Sequence, residues 1–73
     1  MAKHEHDNVD HPPHYQFPGG VEVIGITAHL NFCRGNAVKY ICRAGKKGGP
    51  DKEVEDLKKA KKYIDFELKR LGA

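Results

Sequence analysis

A chain of 73 residues, 38% hydrophobic and 32% charged, makes one domain with a thin core, because a chain this short buries only about 60% of the surface its unfolded form exposes. That excludes a self-contained Rossmann domain or barrel and calls for help from a metal, a disulfide or a partner subunit. No run of about 20 apolar residues could span a membrane, and the His-rich, acidic first 15 residues lack the apolar stretch of a secretory signal, so the expected compartment is the cytoplasm.

The net charge of +3 is unevenly spread. Residues 34–49 carry Arg34, Lys39, Arg43, Lys46 and Lys47 with no acid among them. A strip of that kind points to an anionic, phosphate-bearing partner. The other reading is that the acidic ends of the chain neutralise it. Cys33 and Cys42 would lie about 13 Å apart on one helix, beyond the roughly 7 Å that a disulfide tolerates. They read as small buried residues in a reducing compartment.

In chain order, residues 1–9 read as a flexible tail and residues 10–73 as a single helical domain. Pro12-Pro13 forbids helix and favours a polyproline II arm. Phe17-Pro18-Gly19-Gly20 reads as a turn. A first helix is expected over residues 21–30, where Val23, Ile24, Ile26 and Leu30 are apolar. Its β-branched residues leave a short strand open, but no second strand is evident to pair with it. A second helix starts at Phe32 or Asn36 and runs to Ala44. Cys33, Ala37, Ile41 and Ala44 share one face of it, widened by Val38 and Cys42. Gly45 caps this helix, and Gly48-Gly49-Pro50 terminates it.

The third helix is the clearest. Asp51 is the expected N-cap. Glu53, Glu55 and Asp56 suit the positive end of the helix dipole, and Lys69 and Arg70 suit the negative end. Val54, Leu57, Ile64, Leu68 and Leu71 form a heptad stripe, interrupted only by Lys61 at an a position. Lys61 either fixes register between helices or snorkels past the edge of a simple hairpin. The expected fold class is therefore all-α: two to three helices, a long C-terminal helix and an extended N-terminal arm, completed by oligomerisation.

The chemistry-bearing segment is the second helix. Asn36, Lys39, Tyr40 and Arg43 fall at i, i+3, i+4 and i+7 and form one ridge, with Lys46 just beyond. Arg and Lys bind phosphate oxygens and Tyr stacks on a base, so the ridge reads as a nucleotide contact or, more plainly, as a solvated basic face. A P-loop is excluded, since Gly45-Lys46 is followed by Lys47 and position 40 is Tyr. His4, His6, His11 and His14 cluster, but no cysteine is near them with zinc-site spacing, and no metal site is expected. His14-Tyr15 follows the stiff Pro-Pro pair, which could deliver it onto the helices either to touch a phosphate or base, or, with Phe17, as an apolar anchor. Glu22, Asp51 and Asp56 are the candidate carboxylates, Asp56 more simply as a helix N-terminal charge.

Four blocks carry a resemblance: Asp10-His11-Pro12-Pro13-His14-Tyr15; Gly20-Val21-Glu22-Val23-Ile24; Gly35-Asn36-Ala37-Val38-Lys39-Tyr40-Ile41 with Arg43-Ala44-Gly45-Lys46-Lys47; and Glu55-Asp56-Leu57-Lys58-Lys59-Ala60-Lys61-Lys62-Tyr63-Ile64. In their order they resemble the SaV-like family of short bacteriophage proteins. The resemblance implies a phage early-type product in the host cytoplasm. It also implies a function of the nucleotide-kinase type without a P-loop, a label carried by a longer relative. It implies a common site among His14, Tyr15, Glu22, Asn36, Lys39, Tyr40, Arg43, Asp56, Lys59 and Tyr63. ATP and Mg²⁺ enter only if phosphate is transferred.

The leading expectation is a homo-oligomeric nucleotide-binding protein that uses Lys39 and Arg43 for phosphate and Tyr15 or Tyr40 for the base. The alternatives are a non-catalytic binder that sequesters nucleotide signals of host defence, and a protein or nucleic-acid interaction module on the basic segment. Nucleic acid is not the favoured partner.

Overall fold

The computed structural model describes residues 13–73. The expected tail over residues 1–9, together with His4, His6 and His11, lies outside the described residues. Three helices follow in order: α1, Ile24–Thr27; α2, Phe32–Arg43; and α3, Pro50–Arg70. The all-α expectation holds, with α3 the long C-terminal helix.

The frame is the antiparallel hairpin of α2 and α3, which pack chiefly on each other. Ala37 and Ala60 are buried where the two helices meet. Such small side chains let the backbones approach closely. Gly45 stops α2 as expected: its φ of 83° is the left-handed conformation that glycine adopts without strain. α3 begins one step earlier than expected. Gly49 is its N-cap and Pro50 opens it, so Asp51 sits in the first turn instead of capping. Proline suits that place because its missing N–H would have had no helical partner anyway.

The segment before α2 departs further from expectation. The helix foreseen over residues 21–30 shrinks to the single turn of α1. Residues 16 and 22 instead form an isolated antiparallel bridge, closed by Phe17 N–H to Val21 O at 2.8 Å and Val23 N–H to Tyr15 O at 2.9 Å. Gly19 and Gly20, both at positive φ, turn the chain between them. The pairing partner that a strand would have needed is thus the stretch just upstream, and Val23 is buried beneath it. Pro13 opens a 3₁₀ turn through Tyr15 rather than continuing a polyproline arm.

A polar knot ties the far end together. Asn31 caps α2, its Oδ1 accepting from Arg34 N–H at 2.8 Å. Its Nδ2 donates to Glu67 Oε2 at 2.8 Å. Arg34 pairs with the same carboxylate at 2.8 Å, and Arg70 Nε donates to its other oxygen at 2.9 Å.

The apolar stripe of α3 does not turn toward α2. Val54, Leu57, Ile64, Leu68 and Leu71 are between 45% and 54% exposed. The face turned to α2 carries Asp56, Ala60 and Glu67, all buried, and the half-buried Tyr63. At about 100° per residue, that face lies roughly a quarter-turn from the apolar stripe. Ile41, expected on the core face of α2, is likewise 51% exposed.

Candidate functional site

α2 presents Tyr40 as the centre of the site. Lys39 Nζ lies 4.6 Å from the ring centroid, Arg43 Cζ 4.7 Å and, from α3, Lys59 Nζ 5.3 Å. Cations at these distances are drawn to the negative face of an aromatic ring. Tyr63 of α3 stacks beside Tyr40 at 5.9 Å, with the rings 13° from parallel. Phe32 and Phe66 meet Tyr63 edge-on. The result is an aromatic column across the hairpin with three cations around one end.

Arg43 is the hinge of the arrangement. Its Nε and Nη2 both donate to Asp56 Oδ1, at 3.2 and 2.6 Å. Asp56 is fully buried, and its Oδ2 accepts no hydrogen bond. The guanidinium's hydrogen bond holds the Asp56 carboxyl below its ordinary range against the opposing effect of burial. The same bond raises the Arg43 pKa, with help from Tyr15. Two expectations change. Arg43 is not a bare phosphate clamp, because the protein's own carboxylate neutralises it. Asp56 is not a solvated charge at the start of a helix but the buried partner of Arg43.

The 3₁₀ turn of Pro13–Tyr15 packs against α2. The His14 and Tyr15 rings lie 4.2 Å apart, and both reach the surroundings of Arg43. Burial lowers the His14 pKa, as do the positive charges of Lys47, Arg43 and Lys46, while Asp56 acts the other way. His14 thus sits in a locally positive field that disfavours its proton.

The remaining expected residues distribute as follows. Lys59 pairs with Glu55 at 3.6 Å. Lys46 donates to Gln16 O at 2.9 Å and lies 3.5 Å from the Phe17 ring centroid, so it fastens the N-terminal turn to the end of α2. Asn36 donates to Phe32 O at 2.8 Å. With Lys39, Thr27 and Phe32 it lines an open cleft of about 210 Å³ at the α1–α2 corner. Lys39 therefore stands between this cleft and the Tyr40 column. No carboxylate among the described residues pairs with it. Glu22 sits in the bridge opposite Gln16. So Lys39, Arg43 with its partner Asp56, Lys59 and Tyr63 gather around Tyr40, His14 and Tyr15 adjoin Arg43 with Lys46 near His14, and Asn36 and Glu22 stand apart.

Sequence reasoning missed Asn31 and Glu67. An Asn directly before the helix start was the readable signal for the first. Glu67 gave none, since a lone acid near a helix C-terminus looks like a surface residue. Cys33 and Cys42 are both unbonded, as their spacing required. Among the described residues, no group of three or more His, Cys, Asp or Glu could hold a metal ion, and no helix is long and apolar enough to cross a membrane.

Fold and site together define a small helical hairpin with a cationic, aromatic ridge stitched by a buried Arg–Asp pair. The chain belongs to the DUF3310 family, described as a protein of unknown function, whose pattern it matches over residues 9–65. That span includes every residue of the ridge. The chain is also 38% identical over 72 residues to the Gene 1.7 protein of Enterobacteria phage T3, an alignment that covers 89% of this chain and 44% of that protein. It thus spans less than half the length of this curated relative. No solved structure gives a significant match.

Proposed function

We propose that the chain is a phage nucleotide-binding protein whose ligand lies along the Tyr40 ridge, with its phosphates against Lys39 and Lys59 and its base against an aromatic face. The observation that carries this reading is the imbalance around one ring. Three cations surround Tyr40, while the carboxylates that answer them are Asp56, which Arg43 occupies, and Glu55, which Lys59 shares with Lys52. Lys39 keeps its full charge for an outside anion. Arg43 keeps the N–H groups that Asp56 does not use, and its fixed position makes it a donor rather than a net charge.

Phosphoryl transfer belongs to this reading as its finer form. Here ATP arrives as a substrate with its Mg²⁺, which the phosphates mainly hold. The protein residues near the ridge offer that ion little, since Asp56 Oδ2 is buried and no second acid converges on it. This observation favours the second reading, a binder that holds its nucleotide unchanged and so sequesters it.

The deciding experiment is native mass spectrometry of protein purified from phage-infected cells, followed by calorimetry with a panel of nucleoside mono- and triphosphates. A co-purifying nucleotide, bound more weakly by Lys39→Ala, supports the proposal. Conversion of a monophosphate in the presence of ATP selects transfer, and recovery of unchanged ligand selects sequestration. Failure to bind any nucleotide ends both.

A further inference from the structure

The outer face of α3 carries an inference that does not depend on the nucleotide reading. Among the described residues, the buried hydrophobic side chains are only Val23, Ala37 and Ala60. Meanwhile the apolar stripe of α3 stays half exposed along the whole helix. The stripe continues onto α2: Val38 and Ile41 join Ile64, Leu68 and Leu71 around an apolar groove of about 370 Å³. This face lies on the opposite flank of α3 from Lys59 and the ridge.

The order of residues along the stripe says what covers it. Val54 and Leu71, Leu57 and Leu68, and Lys61 and Ile64 are each equidistant from the midpoint between Lys62 and Tyr63. A second copy of α3 laid antiparallel about that midpoint sets Val54 against the partner's Leu71 and Leu57 against the partner's Leu68. Such a register is self-complementary, as a two-fold, isologous interface requires. The charges agree. Lys58 and Asp65 occupy the e positions, which face each other between antiparallel helices. Lys58 therefore meets the partner's Asp65, and symmetry repeats the pair. Lys61, next to Ile64 of the partner subunit in this register, also reaches the partner's Asp65. Among the described residues, none of these three charges has an ion-pair partner within the protomer.

From this face we infer that two copies of the chain associate through α3 in an antiparallel register, their hairpins forming a four-helix bundle. The partner's Val54 and Leu57 then fill the groove lined by Ile41, Ile64, Leu68 and Leu71. The 21-residue helix is about 31 Å long. Two helix widths across give a footprint of about 600 Å², near the roughly 800 Å² of accessible surface that each partner buries in a standard interface.

The test is sedimentation of the full chain at micromolar concentration, with circular dichroism to verify helix content. The wild type is expected to be a dimer or an even-numbered assembly of dimers. Leu68→Glu should give a helical monomer. Asp65→Lys should weaken association about tenfold, because it turns both Lys58–Asp65 cross-pairs, and the Lys61 contacts beside them, into repulsions. Lys58→Asp with Asp65→Lys should restore it. A monomeric wild type overturns the inference, as does an odd-numbered assembly or indifference to Leu68→Glu. A double variant as weak as Asp65→Lys alone overturns the antiparallel register. Because the readout is mass, failure here leaves nucleotide binding to be judged separately.

Discussion

Arg43 and Asp56 are joined through a single oxygen: both guanidinium donors fall on Oδ1, at 3.2 and 2.6 Å, while Oδ2 stays buried without a partner. The pair stitches the end of α2 to the start of α3 from inside the hairpin. Removing one member strands the other, whereas replacing both with apolar groups is often tolerated. Asp56→Asn should therefore cost about 2–3 kcal/mol, less than a fully buried pair would, because the Arg43 side chain is 13% exposed. In a domain this small each kcal/mol is worth about 4–8 °C of melting temperature. Arg43→Met with Asp56→Leu should recover most of that loss in thermal unfolding. If the double variant is as unstable as the single, the pair is not the source of the loss.

The division of labour on the ridge gives a second expectation. Lys39 faces outward without a carboxylate, so Lys39→Ala should weaken nucleotide binding about tenfold, the worth of one charge-assisted hydrogen bond, and leave the melting temperature within about a degree. Arg43→Ala should weaken binding and lower the melting temperature together. Calorimetry beside thermal unfolding separates the two, with Lys69→Ala as a control distant from the ridge. Equal binding by Lys39→Ala and Lys69→Ala would mean that the ridge is only a solvated face.

His14 is a built-in reporter of the same site. Burial and the neighbouring cations hold its pKa below 6.5, so folding disfavours its proton. Its contribution to stability is full above 6.5 and declines as pH falls toward the depressed folded value. A phosphate held on the ridge beside Arg43 offsets part of the positive field that acts on His14, so the His14 pKa should rise on ligand binding, with proton uptake below neutral pH. Nuclear magnetic resonance titration of the imidazole, with and without saturating nucleotide, measures this directly. An unmoved His14 would place the ligand elsewhere.

The elements legible in the sequence were those set by local rules. Helix period, the capping glycine at Gly45 and the break at Pro50 depend on nearby residues alone. Likewise, helical spacing placed Tyr40 and Arg43 on one ridge. What escaped depends on which face the partner helix chooses. Hydrophobicity marked Val54, Leu57 and Leu68 as one stripe but not which helix would cover it. The hairpin instead packs on its small residues and its charges, because Ala37 and Ala60 permit a closer approach than leucines allow. Asp56 and Glu67 looked like solvent residues for the same reason: nothing local marks an acid that will be buried by a base thirteen or thirty-three positions away.

Glu67 makes the last of these hidden interactions measurable. Hydrogen bonds from Arg70 and then Asn31, with the charge of Arg34, bring its pKa from 4.5 down to about 2, against burial. A carboxyl held down in the folded state stabilises fully above its ordinary pKa, and that contribution fades as pH falls through the folded value. The loss should therefore run from about pH 4.5 to about pH 2. Glu67→Gln keeps the acceptor for Asn31 but gives up the charge on which Arg34 and Arg70 converge. The variant should melt below the wild type at pH 5 and converge with it near pH 2, because protonation does to the native residue what the substitution does at every pH. A constant gap across that window would mean that shape, not charge, holds the knot together. Helix α2 would then be fastened to the end of α3 by Asn31 alone.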